Sequence, residues 1–270
     1  MGKALAYEAD GVVVDLEDAV TAGVKDRARS QVAELLGTDA EGTRDREHSD
    51  RAKNEPVMSV QVRINHLSTP WFEADAEMLA GLPQGVGARC PKVESPEQIR
   101  QLAAALPGRA LHILVESAMG VENAFHLAAS SPQMATIGLG EADLSSDLRI
   151  TGEVGLVWAR GRSVNAARAA GLPAPMMSVY RHVRDLTGLR TSCRRGHAMG
   201  FVGRAAIHPR QLATITQAFS ARTRRGPACP GRRRSARAEH VHRCWSLRPR
   251  RRELHRPSHG RLRAQRSGDG

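Results

Sequence analysis

Six stretches of this chain end an apolar run in residues able to do acid–base or metal chemistry. "VVVDLEDAV" ends in Asp15, Glu17 and Asp18, "VQVRIN" in Arg63 and Asn65, and "ARCPKVES" in Lys92 and Glu94. "HILVESAMG" ends in Glu116 and Ser117, "IGLGEADL" in Glu141 and Asp143, and "AAIHPRQ" in His208. In barrels and other parallel α/β sheets the carboxyl ends of strands face the active-site mouth. Carboxylates on adjacent strand ends, with no His or Cys beside them in sequence, suit Mg²⁺ better than zinc. That ion takes one or two protein carboxylates and completes its octahedron with water and substrate oxygens.

Each residue also has a purely structural reading. Asp15, Glu17 and Asp18, like Glu141 and Asp143, could simply favour the positive end of a following helix. Lys92 could be a rim lysine with Glu94 as its surface partner. Arg63 sits inside an apolar strand, where an unpaired guanidinium is costly, so it needs an anion. That anion is either an internal acid such as Asp15 or Glu17, or a substrate carboxylate gripped by two parallel hydrogen bonds. His208, placed before Pro209, reads first as structural. The chain has no G-x-x-x-x-G-K-[ST] loop, no G-x-G-x-x-G fingerprint and no G-x-S-x-G elbow.

The elements that must position these residues follow from periodicity. Strand-like runs cover 11–16, 58–64, 86–92, 111–116, 135–140, 176–180 and 200–207. Helix-like segments lie around 22–36, 71–81, 96–106, 120–130, 155–171, 185–198 and 209–219. Continuous apolar strands alternating with helices imply a parallel sheet with helices outside it. "SPEQIR" starts its helix with Ser95 as N-cap, then Pro96 and Glu97. Seven strands are one short of a (β/α)₈ barrel, and the missing one is expected ahead of "GKALAYEAD". Residues 40–56 are expected to form a polar loop.

The 270 residues are enough for a sizeable core, and no apolar run approaches the roughly 20 residues of a membrane span. The N-terminus lacks a secretory signal pattern, and Cys90, Cys193, Cys229 and Cys244 form no C-x-x-C pair. Reduced thiols in a cytoplasmic protein are the expectation. The net charge of +12 is localised: residues 221–270 carry 16 arginines and 3 acids, leaving 24 basic and 25 acidic residues elsewhere. This arginine-rich tail has no periodicity and is expected to be disordered, or a non-native end such as a shifted reading frame. A nucleic-acid-binding arm is the competing reading, but Trp245 is its only aromatic, which argues against base stacking.

Taken in order from about residue 4 to 219, "DGVVVDLEDAV" with Lys25, "VRIN", "PKVESPEQI", "ILVESAMGVENA", "GLGEADLSSDL" and "GFVGRAAIHPRQL" resemble the HpcH/HpaI aldolase and citrate lyase beta-subunit family. The resemblance implies an α/β TIM barrel over residues 1–220, here lacking its first strand, followed by the tail. It implies a Mg²⁺-dependent lyase that cleaves a hydroxyacyl-CoA such as citryl-CoA, citramalyl-CoA or malyl-CoA into acetyl-CoA and a 2-keto acid. Glu116 and Asp143 match the family's metal ligands, with Glu141 supporting the loop. Arg63 matches the arginine for the keto-acid carboxylate, with Lys92 and Asp15 at the substrate. Glu17 and Asp18 match the acidic pair near the metal and its waters. A homo-oligomer, trimer or hexamer, is also implied, with no membrane partner. Arg181 and His182 depart from the Pro and Asp frequent in relatives, so a catalytically impaired barrel is the alternative.

Overall fold

The computed structural model describes residues 9–47 and 58–220. Residues 1–8 and 221–270, on which the expectations of a missing leading strand and a disordered tail bear, lie outside the described residues. Five strands form one parallel sheet in simple order: β1 (Gly11–Asp15), β2 (Ser59–Arg63), β3 (Val86–Cys90), β4 (Leu111–Val115) and β5 (Met134–Leu139). The fold class read from the sequence, an α/β barrel with parallel strands inside and helices outside, holds.

Register sorts the side chains onto two faces. Val12 pairs with Val60 and Val14 with Val62, Ala88 with Leu111, and Ile113 with Ile137. This apolar face meets the helices in one core with Val32, Leu36, Phe72, Leu79, Ile99, Leu102 and Leu127. Each such side chain contributes about 1.5–3 kcal/mol by leaving water. The opposite face is polar, because Asp15 pairs with Arg63, Arg63 with Arg89, Arg89 with His112, and His112 with Thr136. A one-residue irregularity after Leu111 keeps β4 and β5 in step around the extra residue Ala135.

The helices are α1 (Lys25–Glu47), α2 (Phe72–Ala80), α3 (Pro96–Ala105), α4 (Ala118–Glu122), α5 (Ala124–Ala128), α6 (Glu141–Asp147), α7 (Val157–Ala169), α8 (Leu186–Ala198) and α9 (Leu212–Ser220). The expected start of α3 is present in full. Ser95 Oγ accepts from the Gln98 N–H at 3.3 Å, and the Gln98 side chain returns to the Ser95 N–H at 3.2 Å.

Three expectations need correction. Residues 40–47 of the polar loop expected over 40–56 are instead the end of α1, which runs to Glu47 through residues that are mostly good helix formers; residues 48–57 lie outside the described region. The helix expected over 120–130 is two short ones, α4 and α5, divided at Asn123. The strands expected at 176–180 and 200–207 reduce to one parallel bridge, Met177 with Arg204, flanked by Val202 N–H to Pro175 O and Ala205 N–H to Met177 O. Pro173 and Pro175 remove donors, and Gly200 takes φ +101°, so neither run sustains a ladder. That pair sits over a second core of Met177, Leu189, Cys193, Phe201, Ile215 and Phe219.

Among the described cysteines, Cys90 and Cys193 are free and buried. Among the described residues no helix is long and apolar enough to cross a membrane.

Candidate active site

The acids following β1 are held by their own backbone neighbours. Lys25 Nζ donates to Leu16 O at 2.8 Å and Glu17 O at 3.0 Å, and Asn65 Nδ2 donates to Leu16 O at 3.1 Å. Asn65 is fixed in turn by the buried Asp75, which also pairs with Arg29 at 2.9 Å. The loop carrying Glu17 and Asp18 is therefore anchored on both sides. Sequence reading singled out neither Asp75 nor Arg29; both lie on helical faces whose pairing is tertiary.

Arg63 stands opposite Asp15 in the ladder and meets it with two nitrogens, Nε lying 2.9 Å from Asp15 Oδ1 and Nη2 closer to Oδ2. Its Nη1 lies 2.9 Å from Glu17 Oε2, at an angle outside hydrogen-bond geometry, and 3.2 Å from Asp18 Oδ2. Burial opposes the Arg63 charge, but these three acids overcome it and raise the pKa. Of the two anions open to Arg63 from its sequence, the internal acids are the ones it holds here.

Lys92 continues the network. It ends β3's run in a left-handed conformation, φ 54°, uncommon for a side chain of its size and a form of strain found at functional sites. Its ammonium binds Glu17 closely and lies 3.7 Å from Asp18 and 3.9 Å from Asp143. Burial raises the Glu17 pKa, with Lys92 and Arg63 pulling the other way.

Glu116 follows β4 and is only 4% exposed, and its Oε2 has no hydrogen-bond partner. Burial first, then Asp143 and the charge of Glu17, push its carboxyl up to about 8. The backbone beside it is drawn in by Gly140 N–H donating to Val115 O at 2.9 Å. Glu141 and Asp143 both prove to be first-turn acids of α6, so the helix-start reading is true of both. They differ in partners. Glu141 is taken by Arg160, while Asp143 faces Glu116 and Lys92.

Lys92, Glu94, Glu116, Ser117, Asp143 and Asp147 line an open cleft of about 380 Å³. The structure thus brings Asp15, Glu17, Asp18, Arg63, Lys92, Glu116 and Asp143 into one network at the strand ends. His208 stays apart in a structural role, capping a turn by accepting the Arg210 N–H at 3.1 Å.

The donor set fits a hard divalent cation. An orphaned, buried carboxylate oxygen beside a second carboxylate is costly unless a cation or a proton joins it. Among the described residues no group of three or more His, Cys, Asp or Glu is arranged to hold a metal. A cation here would therefore use two protein carboxylates and draw its other ligands from water and substrate, as Mg²⁺ does.

A parallel α/β barrel with acids and bases gathered on its strand ends defines a class of enzyme scaffold. Within that class, residues 1–209 match the family described as HpcH/HpaI aldolase/citrate lyase, and the chain belongs to that family of carbon–carbon lyases. It is 33% identical over 225 residues to a (3S)-malyl-CoA thioesterase of Cereibacter sphaeroides, covering 81% of this chain and 72% of that one. It is 31% identical over 229 residues to the citrate lyase subunit beta of Leuconostoc mesenteroides, covering 79% and 70%. The citrate lyase beta subunit of M. tuberculosis, solved with oxaloacetate and magnesium, aligns at a TM-score of 0.63 and 28% identity, over 81% of this chain and 90% of that one.

Proposed function

We propose that this chain is a Mg²⁺-dependent lyase that cleaves a 3-hydroxyacyl-CoA, such as citryl-CoA, citramalyl-CoA or malyl-CoA, into acetyl-CoA and a 2-keto acid. The observation that carries this reading is the buried Glu116 carboxyl, its Oε2 unpartnered, facing Asp143 across the cleft. The magnesium in the M. tuberculosis structure supports the choice of ion.

Glu116 and Asp143 would hold the ion, which when bound supplies Lewis acidity at the hydroxy-acid oxygens. Arg63 holds the substrate carboxylate. Its contact with Asp18 is the longest of its ion pairs, and Asp18 is 56% exposed, so Asp18 is the acid the substrate displaces while Asp15 keeps the guanidinium oriented. Such a two-pronged hold aligns the breaking bond. Glu17, raised by burial, is suited to take the hydroxyl proton. The oxygen's electron pair then forms the keto group, the carbon–carbon pair passes to the thioester enolate, and a proton returns to that carbon. Lys92 keeps the crowded carboxylates compatible and meets the substrate at the cleft wall. A cytoplasmic homo-oligomer completes the reading, with Val154, Val157 and Trp158 offering exposed apolar area for a second copy.

A second reading, thioester hydrolysis, is favoured by the similarity to the malyl-CoA thioesterase. One assay separates them. Malyl-CoA with Mg²⁺ gives acetyl-CoA and glyoxylate under the lyase reading, and free CoA with malate under hydrolysis. No turnover of malyl-CoA, citramalyl-CoA or citryl-CoA by folded protein in Mg²⁺ contradicts both.

A further inference from the structure

Asp143 rides on a helix of only seven residues, too short to be stable by its own hydrogen bonds. Both ends of α6 are instead tied by side chains. At its first residue, Glu141 receives two parallel bonds from Arg160 of α7, Nε to Oε1 at 2.7 Å and Nη2 to Oε2 at 2.7 Å. The Arg160 and Glu141 side chains are 6% and 13% exposed respectively, and Arg160 gains a third contact with Glu153 at 3.3 Å. At its last residue, Asp147 Oδ2 accepts the Ala118 N–H at 2.7 Å. Ala118 lies two residues beyond Glu116. The second tether therefore joins the helix that bears one carboxylate to the segment that bears the other.

We infer that Arg160 and Asp147 are positioning residues that set the separation of Asp143 from Glu116, so that cation affinity depends on two side chains that do not touch the cation. This rests on the reading that Glu116 and Asp143 hold a divalent ion. Charge enters differently at the two tethers. The Arg160 fork matches both oxygens of a carboxylate, a geometry lysine does not reproduce. Asp147 acts only as an acceptor toward a neutral N–H, which an asparagine oxygen can also do.

The test is a Mn²⁺ titration of the full chain, followed by the electron paramagnetic resonance of free Mn²⁺, beside thermal melts of the same samples. Arg160→Lys and Asp147→Ala should each weaken Mn²⁺ binding by about tenfold or more, as expected when ligand-orienting partners are lost. Asp147→Asn should bind close to wild type. Leu189→Ala, in the second core, should melt lower yet keep wild-type affinity. Arg160→Lys and Asp147→Ala that melt lower but bind Mn²⁺ like wild type would overturn the inference, leaving the tethers with stability alone. An Asp147→Asn variant as weak as Asp147→Ala would overturn the acceptor role. If Asp143→Asn binds Mn²⁺ as tightly as wild type, the metal site itself is wrong and the positioning roles fall with it.

Discussion

A Cβ added to Gly140 would lie 2.3 Å from Cγ of Glu116, so the buried carboxylate has its place only because residue 140 has no side chain. The backbone there is ordinary, with φ −91°, so space rather than conformation demands the glycine. Gly140→Ala should evict the Glu116 side chain and abolish the Mg²⁺-dependent rise in melting temperature. A variant that still responds to Mg²⁺ like wild type would show that Glu116 is not needed in its present position.

Among the described residues Arg63 is the only cation paired with Asp15, and it also meets Glu17 and Asp18. Arg63→Met leaves three acids crowded at one strand end. It should lower stability by about 3 kcal/mol in urea unfolding, the scale for breaking a largely buried pair. Lyase turnover should fall with it. Arg63→Lys should recover much of the stability but little of the turnover, because an ammonium cannot grip Asp15 and a substrate carboxylate with paired bonds. Equal recovery of both would argue against a substrate role.

His112 lies buried on the polar face, its Nδ1 2.9 Å from Thr136 Oγ1. Burial, then the charge of Arg89, hold the imidazole down at about 3, against an ordinary value of 6.5. The native state keeps His112 neutral while the unfolded chain protonates, so its contribution is complete above pH 6.5 and is lost as pH falls toward 3. Each pH unit within that window costs up to about 1.4 kcal/mol. Urea midpoints between pH 7.5 and 5 should fall less steeply for His112→Gln than for wild type. Parallel slopes would mean that His112 titrates normally.

Ser95 and Gln98 cap α3 reciprocally, and neither lines the cleft that holds Glu116 and Asp143. Ser95→Ala should cost about 1 kcal/mol in urea unfolding and leave Mg²⁺ binding unchanged. An unchanged urea midpoint would show that the cap contributes nothing.

Much of the site was legible because apolar runs ended in Asp15, Arg63, Lys92, Glu116 and Asp143, and parallel strands bring such ends together. The division of labour within "GEADL" was not legible. Glu141 and Asp143 are both helix-start acids, and only Arg160, nineteen positions after Glu141, takes one and leaves the other. Nothing in the sequence marks Asp147, and its tie to Ala118 exists only in three dimensions. Arg63 was open to an internal or a substrate anion because a strand does not reveal its neighbour's side chains. The last two strands were overcounted because their apolar patterns were right, while Pro173 and Pro175 remove donors and Gly200 turns left-handed, so the pairing stops at one bridge.

The central claim is that Glu116 and Asp143 hold a divalent cation needed for carbon–carbon cleavage. The most direct test is a thermal melt of wild type and Asp143→Asn in EDTA, in Mg²⁺, and in Mg²⁺ with oxaloacetate. Wild type should gain stability with Mg²⁺ and more with the keto acid, by a few kcal/mol at saturating ligand (roughly RT ln[L]/Kd), and Asp143→Asn should gain neither. A wild type indifferent to Mg²⁺, or an Asp143→Asn variant that responds equally, would contradict the account.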